Sequence, residues 1–423
     1  MKIVLINPSQ KILSDPIISE PIGLMYIESA LIYAGFDVEM VDLSFDKHIP
    51  EDGDIYGFTS PTVLYPSVVE SAKGINKPKI IGGPHASALP EMCALDFDAV
   101  VVGPGETSVL KAIDDILKGK TGGIYRDELP DDINMIQMPI RRIRERIKYH
   151  PLKNTSIFFG DDSVSAAIIT SRGCVYDCSF CSSKCIWGRH VKQRSINNVL
   201  SEVDYLKSHF GIRSLSFMDD NFTLNRKYFK NISNELNRMN VFWRFHTRAN
   251  QIDNEVLDVL ESSGNTEVFI GLESCDDFVL DKINKKQKVL EVFNIVKNIK
   301  KRGLKFGFYI ISGLPFEPPN IVDKTIDFIQ TTNPDSVTIF TFVPLPGSDI
   351  WDNPSKYNIK SIDFDFSKYQ TAVGDTEEER SRFHVVEYND RSKEDLRYNR
   401  NRLKMFAMNW NNNKKISNDY TKR

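Results

Sequence analysis

Short apolar runs alternate with helix-length amphipathic patterns along most of this chain, and that alternation restricts the possible folds more than any other feature. The first series runs through KIVLI (2–6), PIGLMYIESALIYAG (21–35), DVEMVD (37–42), DIYGFTS (54–60), a helical stretch near 62–74, KIIGG (79–83), DAVVVG (98–103) and ETSVLKAIDDILKG (106–119). Near-continuous apolar strands separated by helices indicate a parallel sheet covered on both faces. Residues 1–123 are therefore expected to form one α/β domain, with ligands at the carboxyl ends of its strands. Those ends carry Asn7, Thr59, Ser60, Gly82, Gly83, His85, Gly103, Gly105 and Glu106. Glycines there let a ligand come close to the backbone. No GxGxxG follows the first strand, which disfavours a nicotinamide site.

The alternation resumes with strands expected at 165–171, 214–219, 242–247, 267–273, 304–312 and 336–343. Helical patterns separate them at 195–209, 225–239, 252–263, 287–302 and 320–332. Six βα repeats predict a partial (β/α)6 barrel of the TIM type over 165–360, with its chemistry at the carboxyl ends of the strands. Residues 124–164 lack a sustained period, and their basic run RRIRERIK (141–148) reads as a solvated linker helix. The extension 361–423 is polar. Its amphipathic stretch 392–409 is expected to close the barrel, and NNNKKISNDYTKR (411–423) to fray. At 423 residues the chain exceeds one ordinary core. A net charge of −3 offers no general attraction to nucleic acid or acidic membranes. No apolar run approaches the roughly 20 residues that span a bilayer, and MKIVLINPSQ reads as a buried strand, so a cytoplasmic protein is expected.

Half of the six cysteines lie in GCVYDCSFCSS (173–183), as Cys174, Cys178 and Cys181. They follow the first strand of the second series and so fall on the catalytic face of the expected barrel. Arg172, Asp177, Ser179 and Ser182 make the segment polar, which argues against three buried structural thiols. A zinc site wants four ligands, and Cys185 is available as the fourth. Three ligands suit a [4Fe–4S] cluster whose remaining iron is open to a substrate or cofactor.

CVYDCSFC has the CxxxCxxC form, with an aromatic before the last cysteine, and here the sequence resembles the radical S-adenosylmethionine (SAM) superfamily. The chain up to about 350 resembles the subfamily that joins a cobalamin-binding domain to the radical SAM barrel. The resemblance implies that Cys174, Cys178 and Cys181 ligate three irons and that SAM binds the fourth. It implies that Phe180 packs near the adenine and that FMDDNFTLN (217–225) brings Asp219 and Asp220 near the methionine amino group. The alternative for these aspartates is to cap the helix at 225–239. Arg248, in HTRAN, is implied to pair with the SAM carboxylate, the alternative being an exposed arginine at a strand end. Glu273, in FIGLES, is implied to accept from ribose hydroxyls. Gly313, in ISGLPFE, is implied to admit the cofactor against the backbone, although a plain turn would also place Gly-Leu-Pro there.

Residues 1–123 resemble the N-terminal Rossmann-like, cobalamin-binding domain of this subfamily. The resemblance implies that the strand-end residues Asn7, Thr59, Ser60, Gly82, Gly83, His85, Gly103, Gly105 and Glu106 contact cobalamin, although the Asp-x-His-x-x-Gly that supplies a lower axial histidine in better-known modules is lacking. His85, in GGPHAS, is placed instead at the sheet edge, contacting the corrin periphery or solvent. The implied activity is reductive cleavage of SAM to a 5′-deoxyadenosyl radical, and within it a cobalamin-dependent methyltransferase acting at an unactivated carbon. A cobalamin-dependent cyclase or rearrangement enzyme shares the same parts. A tRNA methylthiotransferase would need more N-terminal cysteines than Cys93. A non-catalytic zinc or iron–sulfur module is the alternative from another class. The implied partners are a small-molecule or natural-product substrate and a one-electron donor such as flavodoxin or ferredoxin.

Overall fold

The computed structural model describes residues 1–10, 13, 15–153, 164–263, 266–371 and 384–421. Parts of the expected linker (154–163) and of the extension (372–383 and 422–423) lie outside the described residues. Strands Lys2–Asn7 (β1), Asp37–Asp42 (β2), Ile55–Thr59 (β3), Lys79–Gly82 (β4), Ala99–Val102 (β5) and Gly123–Arg126 (β6) form one sheet. Its order is β2-β1-β3-β4-β5-β6, and every pairing is parallel. Alternate residues of β1 serve both faces. Ile3 and Leu5 pack with Leu24, Leu31, Val109 and Ile113 of helices Ile22–Tyr33 and Gly105–Leu117. Val4 and Ile6 face the opposite core, with Tyr65 and Val68 of helix Tyr65–Ala72. That core continues through Leu280, Leu314, Phe342 and Tyr388, so the extension and the barrel loops cover this face of the sheet. Strand β6 was not expected, because Ile124 and Tyr125 alone give it too short an apolar signal.

The second series begins with Ser165–Ile168 (β7). A two-residue antiparallel ribbon follows, Ser171–Arg172 (β8) with Lys192–Gln193 (β9), where one strand over 165–171 had been expected. Then come Ser214–Phe217 (β10), Phe242–Thr247 (β11), Thr266–Glu273 (β12), Lys305–Ser312 (β13) and Ser336–Thr341 (β14). The order β14-β13-β12-β11-β10-β7 is fully parallel and sequential, as in a partial barrel. Leu215, Trp243, Phe245, Val268, Ile270, Phe308 and Ile339 face outward under the helices, with Val203, Phe229, Leu260, Val296 and Ile329 over them. Inside, Tyr309 stacks with His246 (centroids 5.2 Å) and with Phe269 (5.0 Å). In the extension, Ile359–Ile362 (β15) pairs antiparallel with Val386–Tyr388 (β16).

A six-stranded parallel sheet that does not close leaves two edges with unpaired backbone groups. At β14 the final helix, Lys393–Thr421, covers the edge. Leu403 and Ala407 enter the barrel core, and Asn411 both accepts from Val337 N–H (2.9 Å) and donates to Val337 C=O (2.8 Å). The amphipathic stretch thus does close this side. The expected frayed tail is instead helical as far as Thr421, since its first turns are anchored by Asn411 and by Trp410, which donates to Pro334 C=O at 3.0 Å.

At β7 the edge is met by charged side chains. Glu20 accepts from Ala167 N–H (2.7 Å), Arg141 donates to Ala167 C=O (2.7 Å), Arg144 to Ser165 C=O (2.8 Å) and Arg194 to Ile169 C=O (2.7 Å). The same groups pair with one another. Arg141 lies 2.5 Å from both Glu20 and Glu202, Arg144 lies 2.7 Å from Glu20, and Arg194 lies 2.6 Å from Glu202. The basic run is therefore not a solvated linker helix. Only a 3-10 turn, Arg142–Glu145, forms there, and Arg141 and Arg144 are buried because carboxylates and strand carbonyls surround them.

Removing one partner of a buried pair strands the other charge. Arg141→Met is expected to cost about 3–5 kcal/mol in chemical denaturation. Arg146→Ala, which breaks the half-exposed pair with Asp46, should cost below about 1 kcal/mol.

Candidate functional site

The three thiols sit on a loop that begins at Gly173. Its φ of +97° suits glycine, and a Cβ there would lie 2.0 Å from the His190 carbonyl oxygen. Beyond it the loop is pinned from three sides. Asn284 donates to Asp177 C=O (2.6 Å), Ser179 N–H to Ile283 C=O (2.9 Å), and Ile350 N–H to Ser179 C=O (3.0 Å). Gln251 donates to the Tyr176 hydroxyl. Cys174, Cys178 and Cys181 are half-buried and free. Burial pushes the Cys181 thiol up to about 12 and raises Cys174 as well, the neighbouring thiols adding to both. Thiols in such a place stay protonated until a metal displaces the proton.

Cys185 stands apart, packed over Gly347, where a Cβ would come within 2.9 Å of its sulfur. Among the described residues no three His, Cys, Asp or Glu side chains converge as ligands of a single metal ion. A cube of four irons, which takes each thiolate on a different iron, suits the donor set on the loop.

Around the thiols the expected SAM residues have the following places. Arg248 is buried, not exposed at a strand end, and its Nη1 donates to Cys178 Sγ at 3.1 Å. Its Nε and Nη2 have no hydrogen-bond partner, and its guanidinium lies 3.9 Å from the Tyr176 ring centroid. Asp219 points into the protein, accepting from Thr170 Oγ1 (2.7 Å) and N–H (3.1 Å) and from Ser171 Oγ (2.6 Å). Asp220 accepts from Ser183 Oγ at 2.9 Å. It is exposed to solvent, and partial desolvation raises its carboxyl. Neither aspartate caps the next helix; Asn225 does, accepting from Tyr228 N–H.

Glu273 holds a left-handed φ of +64° and pairs with Lys285 at 2.6 Å. The pair lies over Gly271, where a Cβ would stand 2.5 Å from Glu273 Oε1 and 2.9 Å from Lys285 Nζ. Phe180 is half-buried, its ring centroid 5.9 Å from Lys285 Nζ. Gly313 (φ +91°) has its free side against the His384 ring, 2.6 Å from where a Cβ would be. Its carbonyl accepts from Tyr388 OH (2.8 Å), and its N–H donates to Glu317, which pairs with Arg391. Sequence reasoning missed Lys285, His384, Tyr176 and Gln251. Lys285 looked like one more lysine in KINKKQK, and no local signal separates it from its exposed neighbours.

The strand ends of the first sheet face this loop. Glu106 pairs with Arg172 at 2.6 Å, and Arg172 lies between the rings of Tyr26 (4.7 Å) and Trp187 (5.2 Å). Gly103 abuts Ile186 C=O, 3.1 Å from a built Cβ, and Gly105 abuts Ile27 at 2.7 Å. Asn7 donates to Asp42 (2.9 Å), and Gly83 (φ +91°) packs on Thr59 Oγ1. Ser60 C=O accepts from His85 N–H (3.0 Å), and Gly82 has only Val101 near it, at ordinary contact distance. His85 is 0% exposed, which overturns its expected solvent contact. Its ring stacks on Tyr65 (4.1 Å) and meets Phe366 edge-on, because helix Tyr65–Ala72 and the extension close over it. Burial lowers its pKa to about 4.

A barrel of this order, with three thiols on the loop after its first strand, defines the class, and comparison with known proteins agrees. The radical SAM superfamily profile matches residues 168–329. An uncharacterized methyltransferase of Pyrococcus horikoshii is 30% identical, with 88% of this chain and 86% of that protein covered. The bacteriochlorophyllide d C-12(1)-methyltransferase of Chlorobaculum tepidum is 25% identical over 84% of this chain and 77% of its own. The structure of the radical SAM methyltransferase TsrM from Kitasatospora setae, with cobalamin and a [4Fe–4S] cluster bound, shares the fold at a TM-score of 0.64. That likeness spans 82% of this chain and 73% of the other, at 19% identity. The chain belongs to the radical SAM superfamily. It is a radical SAM enzyme, and the family's [4Fe–4S] cluster and SAM come with that membership.

Two outcomes are expected here. Serine at Cys174, Cys178 or Cys181, or alanine at Gly173, should abolish iron uptake on anaerobic reconstitution, whereas Cys185→Ser should retain it. Stability should also fall with acidification. The unfolded imidazole of residue 85 binds a proton at its ordinary pKa of 6.5 that the buried ring refuses until about 4. The contribution is complete above pH 6.5 and is lost as pH falls toward 4. His85→Phe, which keeps a ring between Tyr65 and Phe366, should flatten that slope in denaturation midpoints measured at pH 5 and pH 7.5.

Proposed function

We propose that this chain is a cobalamin-dependent radical SAM methyltransferase acting at an unactivated carbon, with Cys174, Cys178 and Cys181 holding the cluster. The observation that carries the reading is the juxtaposition of three free thiols with a buried guanidinium that has two unpartnered N–H groups. When bound, the cluster and SAM supply a 5′-deoxyadenosyl radical by one-electron cleavage of the sulfonium, and cobalamin supplies a methyl group.

The chain's own residues bind and shield. Arg248 offers its free N–H groups to the SAM carboxylate, a charge-assisted pairing that a buried site strengthens. Asp220, joined to the thiol segment through Ser183, accepts from the SAM ammonium. Phe180 gives the adenine an apolar neighbour. Glu273, fixed by Lys285 on one oxygen, has the other to accept from a ribose hydroxyl. Asp219, spent on Thr170 and Ser171, acts on the site by holding the strand end from which the thiol loop departs. The stacked rings of His246, Tyr309 and Phe269 close the barrel below and help to exclude water.

Support for cobalamin is the likeness of the whole chain to proteins named as methyltransferases and to a fold neighbour whose structure holds cobalamin. The strand-end residues themselves mostly contact other parts of the chain, so no step is assigned to them.

Protein reconstituted anaerobically should hold about four irons. With dithionite it should convert SAM to 5′-deoxyadenosine, and Cys178→Ala should do neither. Hydroxocobalamin added at purification should co-elute, seen by its corrin absorption. If the corrin bands do not co-elute, the methyltransferase reading is wrong; if 5′-deoxyadenosine never forms, the radical reading is wrong too.

A further inference from the structure

We infer that Arg248 raises the reduction potential of the iron–sulfur cluster by donating a hydrogen bond to the sulfur of Cys178. The inference rests on the reading that the three thiols ligate the cluster.

Arg248 follows β11 directly and leads into the 3-10 turn Ala249–Gln251. At 6% exposure its charge is desolvated, and among the described residues no carboxylate lies within ion-pair distance of it. A buried, unneutralised cation is costly, and it is tolerated where an anion is to be bound. Among the described residues the one hydrogen-bond acceptor its guanidinium meets is Cys178 Sγ, 3.1 Å from Nη1. Its position is over-determined. The guanidinium lies over Tyr176, and the Tyr176 hydroxyl is held by Gln251 from the turn that Arg248 opens. The arginine, the tyrosine two residues before Cys178 and the turn are therefore tied together.

The effect has a definite sign. On accepting one electron from an external reductant, the thiolate-ligated cluster gains one unit of negative charge, and no proton need accompany it. A fixed cation beside a ligand sulfur stabilises the more negative state more than the less negative one. Hydrogen bonds to cluster sulfurs are likewise among the factors that set cluster potentials. Arg248 is thus a positioning and tuning residue in addition to any contact it makes with SAM.

The test uses the full chain, reconstituted anaerobically and kept free of SAM so that carboxylate binding does not enter. Midpoints of wild type, Arg248→Met, Arg248→Gln and Arg248→Lys are measured by EPR-monitored redox titration, with iron counted in each. For R248M the reduced-to-oxidised ratio at a fixed poise should fall about tenfold, 59 mV for one electron. R248K, which keeps the charge, should fall less, with R248Q between them. A wild-type midpoint in R248M or R248Q at full iron content overturns the inference. If R248M does not load, the midpoints of R248Q and R248K decide in the same way. Failure of all three to load overturns it as well, because the residue would then build the loop and not tune the cluster. Absence of a cluster in the wild type would instead remove the underlying assignment.

Discussion

Glu20, Arg141, Glu202 and Arg194 form a chain of alternating charges sealed between the two halves of the molecule. Glu20 stands just before helix Ile22–Tyr33 of the first module, and Glu202 and Arg194 belong to the barrel. Arg141 joins them from the connecting segment, with no side-chain exposure at any of the three carboxylate and guanidinium groups it unites. Charges taken out of water at this depth are tolerated only with close partners and satisfied hydrogen bonds. Here the remaining hydrogen-bonding capacity is spent on the backbone of β7, which would otherwise end the sheet with open donors and acceptors. One arrangement satisfies both demands, and it orients the modules relative to each other.

That orientation places the site. With the modules locked, the strand ends of the first sheet meet the thiol loop, and the Glu106–Arg172 pair ties the two together one residue before Gly173. Beside the thiol loop lies Arg248, whose unmet hydrogen-bonding capacity points to a ligand. The extension completes the enclosure from a third side. Tyr388, Arg391 and Glu317 bind the backbone at Gly313 and Leu314, and Phe366 covers His85. The same segments that close the core of the first sheet therefore also wall the site.

Among the described residues, half of the eight non-glycine residues with left-handed backbone lie in this region. Glu273 at the end of β12 and Phe316, four residues past β13, hold left-handed backbone without being glycine, and Asn284 and Lys286 do so in the loop that brackets the thiols. Such conformations persist only where surrounding structure over-determines them. At Glu273 the compensation is visible in the pair with Lys285 laid across Gly271, and at Asn284 in the bond to Asp177.

The two series of βα units and the clustering of three thiols on one loop are legible from the residues alone, because each rests on local information. Periodicity separates strand from helix, and the spacing of cysteines along a loop needs no distant partner. The sequence also carried the resemblance that named the family. The remaining features needed the folded chain, because they depend on partners far apart in sequence. The basic run 141–148 looks solvated until Glu20, 121 residues before Arg141, and Glu202, 61 residues after it, are brought against it. Asp219 looks like a ligand until Thr170 and Ser171 take it, and His85 like a surface group until the extension folds over it. Charge and polarity are written in the residue, but burial and pairing belong to the fold.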